Sequence, residues 1–471
     1  MVQNILDRAL DCLAPENAAA LPLYAVRATE LERLWASLEP NAARFAQASG
    51  FAARTGELVL LPGEQGISGA VLGLGADRSP WLFGDLATRL PEASVWRLMP
   101  GDFDAELAAL AFCLGAYNYP AFKPPKRAPA RLVLQPTDKA AVEARVVWMV
   151  RDLINAPANL LGPNELAQAA LGLAERYGAV AERIEGPALA AEFPAVAAVG
   201  AGSARPPVVV RLHWASPKAP ADAPLVSLCG KGVCFDSGGY DLKPAAAMQR
   251  MKKDMGGAAT VMGLARLIME AELPVRLALR IACVENSVSG HAMRPMDVLR
   301  TRAGFSVEVG NTDAEGRLLL ADLLTEACAE KPWLLLDCAT LTGAARVALG
   351  PDLPALFCND DAWAEALIAA GQAVHDPLWR LPLWFGYDSW LESSIAHMNN
   401  ISEKTHAGAI IAALFLQRFV ARDVRWAHID LYAWNDQPRA GRPEGGEAQA
   451  MRAIFSALSA RLAEMPATSA K

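Results

Sequence analysis

Two short stretches hold most of the residues that could do chemistry. The first opens Gly230-Lys231-Gly232-Val233-Cys234-Phe235-Asp236-Ser237-Gly238-Gly239, passes Lys243, and closes on Lys252-Lys253-Asp254-Met255-Gly256-Gly257. The second is Asn311-Thr312-Asp313-Ala314-Glu315-Gly316-Arg317-Leu318. Asp236, Asp254, Asp313 and Glu315 carry four negative charges, which two divalent ions would balance. Without metal, four converging carboxylates would push one another's pKa up steeply. Asp313 and Glu315 stand two apart, so an extended segment would turn both to one side. Gly316 would let backbone and ligand approach closely.

Lys231 has two readings. A phosphate-binding lysine needs Ser or Thr after it in a Gly-x-x-x-x-Gly-Lys pattern, and here Gly232 follows. As a metal ligand it must be neutral, which a divalent ion at bonding distance enforces. Lys243 and Arg317 then remain as cations beside the cluster, suited to a developing oxyanion. The six histidines are scattered, and His428, inside a strand-like run, reads as a hydrogen-bonded core residue. The eight cysteines lack any short paired spacing, so they read as reduced, buried small hydrophobes and not as zinc ligands.

These side chains need rigid elements behind them. Apolar strand-like runs at 225–229 and 305–309 precede the two stretches, and open α/β sheets place ligand sites at the carboxyl ends of strands. From residue 163 on, helical periodicity (164–177, 257–270, 319–330, 408–420, 445–464) alternates with strand patterns (208–213, 275–284, 333–338, 426–431). That alternation predicts an α/β fold with a mostly parallel sheet covered by helices on both faces. A chain of 471 residues exceeds what one core supports. The expected division is a smaller N-terminal α/β domain at 1–135, a linking helix and connection at 136–160, and a catalytic domain at 161–471. In the first of these, 58–62 reads as a strand and 102–113 as a helix with an aspartate cap. The tail 466–471 is expected to fray.

Composition narrows the function. With 53% hydrophobic and 20% charged residues the chain is globular, and a net charge of −7 gives no global field for nucleic acid or an anionic membrane. No signal peptide is indicated, and the longest uncharged run, 107–122, falls short of a membrane span, so the expected location is cytoplasmic.

Gly-Lys-Gly-x-x-Phe-Asp-Ser-Gly-Gly, Leu-Lys-Pro at 242–244, Asp-Met-Gly-Gly-Ala at 254–258 and Asn-Thr-Asp-Ala-Glu-Gly-Arg-Leu together resemble the leucyl (cytosol) aminopeptidase family. The resemblance spans about residues 150–450, including Ala339-Thr340-Leu341-Thr342-Gly343-Ala344, and is loose toward the N-terminus. It implies an aminopeptidase that removes an apolar, leucine-like first residue from peptides with a free N-terminus, through a hydroxide bridging two metals. It implies metal ligands at Lys231, Asp236, Asp254, Asp313 and Glu315, with Asp236 and Glu315 shared between the ions. Lys243 and Arg317 match the family's catalytic pair, and a bicarbonate base would sit at Arg317. Met251, Thr340, Leu341 and Gly343 match positions that contact substrate. Zinc or manganese comes first as the metal, with magnesium or cobalt chemically admissible. The resemblance further implies a homohexamer. Some relatives also bind DNA as accessory architectural proteins, and that is the alternative reading; the net charge argues against it. Tyr240-Asp241 and Leu431-Tyr432-Ala433-Trp434 depart from the family's pattern, which bears on side-chain preference and not on the ligands.

Overall fold

The computed structural model describes residues 2–220 and 222–465, so the tail expected to fray lies outside the described residues. The chain forms two units. One comprises residues up to Asp7, Met149–Asn435 and the chain from Gly445 onward; the other comprises Arg8–Trp148 and Asp436–Glu444. This departs from the expected boundaries at 135 and 161. Residues 136–148 go with the smaller unit, and so does the late segment 436–444. The latter is held by backbone: Gly441 N donates to Gly84 O at 3.0 Å, a contact between residues far apart in the chain that no periodicity reveals.

The smaller unit is built on a six-stranded sheet in the order Leu13–Ala14, Arg131–Val133, Val95–Leu98, Leu21–Val26, Gly66–Gly73, Leu58–Gly63. All its pairings are parallel except the terminal hairpin. The helix expected at 102–113 runs Ala105–Gly115, and its cap is Asp104, whose carboxylate accepts from Leu107 N at 3.0 Å.

The larger unit carries an eight-stranded sheet. Its order is Trp379–Arg380, Ala355–Cys358, Trp426–Asp430, Leu334–Ala339, Leu225–Asp236, Arg276–Asn286, Val208–Ala215, Val180–Glu185. The four strands from Trp426–Asp430 to Arg276–Asn286 are mutually parallel, while antiparallel strands finish both sides, so the sheet is mixed with a parallel centre. Helices Pro194–Gly200, Gly316–Ala329 and Gly408–Gln417 share one apolar cluster with Cys229, Val233 and Leu335 of one face. Each Leu fully buried there, such as Leu319 and Leu320, contributes about 1.5–3 kcal/mol. Helix Gly256–Glu270 lies against the other face so closely that a Cβ at Gly230 would stand 2.6 Å from Ala258 Cα.

The central strand outruns the expected one. It continues past Cys229 to Asp236, because its parallel pairing with Arg276–Asn286 persists to Asp236 opposite Asn286. All eight cysteines are free thiols, seven of them buried. His428 is fully buried and its Nδ1 lies 2.6 Å from Asp337 Oδ1, the hydrogen-bonded core role expected of it. No helix among the described residues is long and apolar enough to cross a membrane.

Asp322 supplies a pH test of this packing. Its buried carboxylate accepts from Ala195 N (2.8 Å), Val196 N (3.3 Å) and Arg302 N (2.7 Å), tying helix Pro194–Gly200 to helix Gly316–Ala329. Burial outweighs these donors and pushes its pKa from the usual 3.8 up to about 6. The folded chain therefore holds this proton more tightly than the unfolded chain, and the resulting stability is present below about pH 4 and lost as pH rises through about 6. Relative to Asp322→Asn, the parent should lose on the order of 2–3 kcal/mol between pH 4 and pH 7 in urea denaturation. A difference that stays constant across that window would refute the assignment.

Candidate metal centre

The strand Leu225–Asp236 delivers Lys231 from its interior and Asp236 from its last position. The chain then reverses through Gly238 and Gly239, whose φ values of 89° and 66° suit glycine. Gly238 N donates to Asp236 Oδ1 at 2.9 Å, and Lys243 N closes the loop on Ser237 O at 2.9 Å. Asp254 follows in the short 3-10 turn Met251–Met255, directly before helix Gly256–Glu270.

The second stretch is a turn, not the extended segment expected from the spacing of Asp313 and Glu315. Asn311 makes it one: its Oδ1 accepts from Asp313 N at 2.7 Å and its backbone oxygen from Ala314 N at 3.2 Å. Glu315 is then the N-cap residue of helix Gly316–Ala329. The convergence survives by another route. One ligand atom each from Asp236, Asp313 and Glu315 falls within 4.8 Å of the others. Gly316 has the role its type suggests, because a Cβ there would stand 2.8 Å from Lys231 Nζ.

Two lysines each span a pair of carboxylates. Lys231 Nζ lies 2.9 Å from Asp254 Oδ2 and 2.8 Å from Glu315 Oε1, and donates to Thr340 O at 2.9 Å. Lys243 Nζ lies 2.8 Å from Asp236 Oδ2 and also pairs with Asp313. Burial works against both ammonium groups. It is outweighed around Lys231 by Asp254, Glu315 and Asp236, and around Lys243 by Asp236 and Asp313, so both are held above their ordinary range. Burial, then the Asp236 charge, raises Glu315 to about 8 and Asp313 to about 6; burial also raises Asp254. Although Lys231 stands within ion-pair reach of Oε1, neither Glu315 oxygen has a well-aligned hydrogen-bond partner among the described residues. Buried carboxylates so disposed demand cations, and a set of hard oxygen donors with one amine suits a divalent ion.

Several positioning residues escaped the sequence reading. Asn286 Nδ2 donates to Asp236 Oδ1 (2.9 Å) and Thr312 O (3.0 Å), joining the two stretches. Asp241 adds a clamp, accepting from Thr312 N at 2.7 Å while its own N donates to Thr312 Oγ1 at 2.9 Å. Asn400 accepts from Gly310 N (2.8 Å) and donates to Asn311 O (2.8 Å). Asp430, ending a central strand, accepts from Leu341 N, Thr342 N and Thr342 Oγ1 and so fixes the 340–343 segment. Only Asp430 and Asn286 had a legible signal, as polar residues closing apolar strands.

A cavity of about 260 Å³ opens on the cluster. Lys231, Asp236, Lys243, Asp254 and Asp313 line it, together with Met251, Thr340, Leu341 and Gly343. Glu315 and Arg317 are the two predicted residues that do not. Arg317 is buried, with Nη1 donating to Asn400 O at 2.6 Å, and burial lowers its pKa to about 10 against the opposing charges of Glu315 and Asp430.

The model of the cytosol aminopeptidase family's catalytic domain matches residues 148–455, and that of the M17 aminopeptidase N-terminal domain matches residues 21–135. The chain belongs to the cytosol aminopeptidase family. The N-terminal match is closer than the loose resemblance read from the sequence. Among curated members of the cytosol aminopeptidase family, a probable cytosol aminopeptidase of Roseiflexus castenholzii is 44% identical over 320 residues, 67% of this chain and 64% of that protein, so the match spans just under two thirds of the relative. One of Mycobacterium bovis is 39% identical over 380 residues, 76% of this chain and 74% of that protein. The crystal structure of the cytosol aminopeptidase from Coxiella burnetii superposes with a TM-score of 0.91 at 44% identity, covering 96% of this chain and 100% of that one. The bottromycin maturation enzyme BotP in complex with Mn superposes at 0.83 with 34% identity, covering 94% and 100%.

Proposed function

We propose that the chain is a two-metal aminopeptidase that removes the first residue of peptides with a free N-terminus. The observation that carries this reading is the pair of lysine-bridged carboxylate couples beside one cavity, all but Glu315 lining it: Asp254 with Glu315 around Lys231, and Asp236 with Asp313 around Lys243. Each couple marks a place where the fold needs positive charge. Lys231 and Asp254 would complete one ion's ligands and Asp313 the other's, with Asp236 and Glu315 shared. As a ligand Lys231 must give up a proton, so metal loading should release protons. Bound there, the ions would supply Lewis acidity and a water activated at neutral pH. BotP was solved with Mn, which puts manganese beside zinc as the first ions to try.

The chain's own residues do the rest. Asn286, Asp241 and Asn400 hold the two stretches in register. Met251 and Leu341 offer an apolar wall to the first side chain, and the segment from Thr340 to Gly343, fixed by Asp430, presents backbone groups to the substrate. The Lys243 ammonium borders the cavity, where it can meet the oxyanion of the tetrahedral intermediate. Arg317 would hold a bicarbonate as proton acceptor. The family resemblance also implies a homohexamer, which sedimentation would test. The family match and the site give no support to the nucleic-acid alternative.

The reading requires that the free α-amine be bound, since an acylated nitrogen is a poor ligand. Leucine amide should be hydrolysed and N-acetyl-leucine amide left intact under the same conditions. Appreciable cleavage of a blocked peptide would overturn it and point to an endopeptidase.

A further inference from the structure

The cavity has a second charged region that the chemistry above leaves unused. Lys253 precedes Asp254 in the 3-10 turn, is 4% exposed, and lines the cavity. Its Nζ stands 4.5 Å from the ring centroid of Tyr432, and the Arg346 guanidinium carbon lies 4.7 Å from the same centroid. Tyr432 and Arg346 line the cavity as well. Among the described residues neither cation has a carboxylate within ion-pair distance. For the buried Lys253 a cation–π contact recovers only about 0.5–2 kcal/mol, whereas an uncompensated buried charge costs several times that.

The acids of the same cavity are already engaged. Asp430 spends its oxygens on Leu341 N, Thr342 N and Thr342 Oγ1. Asp236, Asp254 and Asp313 belong to the lysine-bridged cluster. Meanwhile Met251, Leu341, Leu353, Pro354 and Leu431 give the cavity an apolar wall. A side chain with a short aliphatic stem ending in a carboxylate matches that combination of wall and cations.

We propose that Lys253 and Arg346 determine specificity, letting the site take peptides that begin with an acidic residue, glutamate above all, alongside those that begin with an apolar one. The proposal rests on the aminopeptidase reading and names a substrate class for it. Arg346 brings a planar fork of N–H donors and Lys253 an amine, and both can donate hydrogen bonds to a carboxylate. Glutamine, which matches glutamate in shape but lacks the charge, is the control.

The test uses the metal-loaded full chain with Glu-Ala, Gln-Ala and Leu-Ala. The parent should hydrolyse Glu-Ala with a kcat/KM on the order of tenfold or more above that for Gln-Ala. Lys253→Met and Arg346→Met should each pull that ratio toward unity, and Lys253→Arg should keep it. Arg346 is exposed on the short helix Gly343–Leu349, so its variant serves even where Lys253→Met fails to fold. Hydrolysis of Leu-Ala with Gln-Ala preferred to Glu-Ala, or a ratio unmoved in the folded variants, overturns the basic subsite alone. Failure to hydrolyse any of the three overturns the aminopeptidase reading, and this proposal with it.

Discussion

Stripping divalent ions with a chelator should abolish hydrolysis of leucine amide, and adding back manganese or zinc should restore it. The expectation follows from electrostatics, since three of the four clustered carboxylates are raised by burial and mutual repulsion and the buried Glu315 lacks a well-aligned donor. Glu315→Gln isolates the point. In the metal-free chain burial, with the Asp236 charge, raises Glu315 to about 8 even beside Lys231, so the fold disfavours its ionised form and the neutral glutamine isostere costs it little. The variant should therefore fold with a stability within about 1 kcal/mol of the metal-free parent, since the one contact altered is that with Lys231, which keeps Asp254 as a partner. Yet it should lose both ions, because the carboxylate proposed to be shared can no longer ionise. Metal content by elemental analysis, urea denaturation after chelation, and activity decide it on one preparation. A variant with full metal content and full activity would remove Glu315 from the ligand set.

How far the sequence discloses this site depends on whether a residue acts through its neighbours in the chain or through distant partners. That Lys231, Asp236 and Asp254 come together was legible because their placement depends on spacing along one strand and the turn after it. The end of that strand was misplaced at Cys229 because Gly230 and Gly232 look like loop residues. Gly230 is instead where helix Gly256–Glu270 presses on the sheet, and at Gly232 a Cβ would stand 2.5 Å from Ala282 O of the neighbouring strand. Alternating helices and strands disclosed the parallel centre of the sheet but not its antiparallel sides, since strand direction at an edge leaves little mark on periodicity. Asn400 and Asp241, and the partners of Asn286, were hidden for a related reason. Each of the three is a single polar residue whose partners lie 26 to 90 positions away, and one sequence without its fold cannot pair them.

Lys243 and Arg317 should prove catalytic without being ligands, and the two should fail differently. Lys243 sits where its chain returns to the cluster, bordering the cavity and within 2.8 Å of Asp236 Oδ2. Its value lies in an oxyanion that exists in the transition state and not in the bound peptide, so it should act on kcat more than on KM. Losing one such donor typically costs about 10²–10³ in turnover, and Lys243→Ala should lose about that much at normal metal content. Arg317 is buried behind the cavity, its Nη1 committed to Asn400 O and its Nε without a partner among the described residues. If it holds a bicarbonate base, added bicarbonate should activate the parent and leave Arg317→Ala unmoved. The competing account gives both residues one task, neutralising an acidic site. Lys243 lends it weight, since its ammonium bridges Asp236 and Asp313 just as that account requires. On that account either substitution would release metal and lower thermal stability, while kcat per bound metal pair stayed at the parent's value. Metal stoichiometry and kcat measured on the same samples separate the two: a large fall in kcat at full metal occupancy makes Lys243 a catalytic residue, and an unchanged kcat per metal pair makes it a counter-charge.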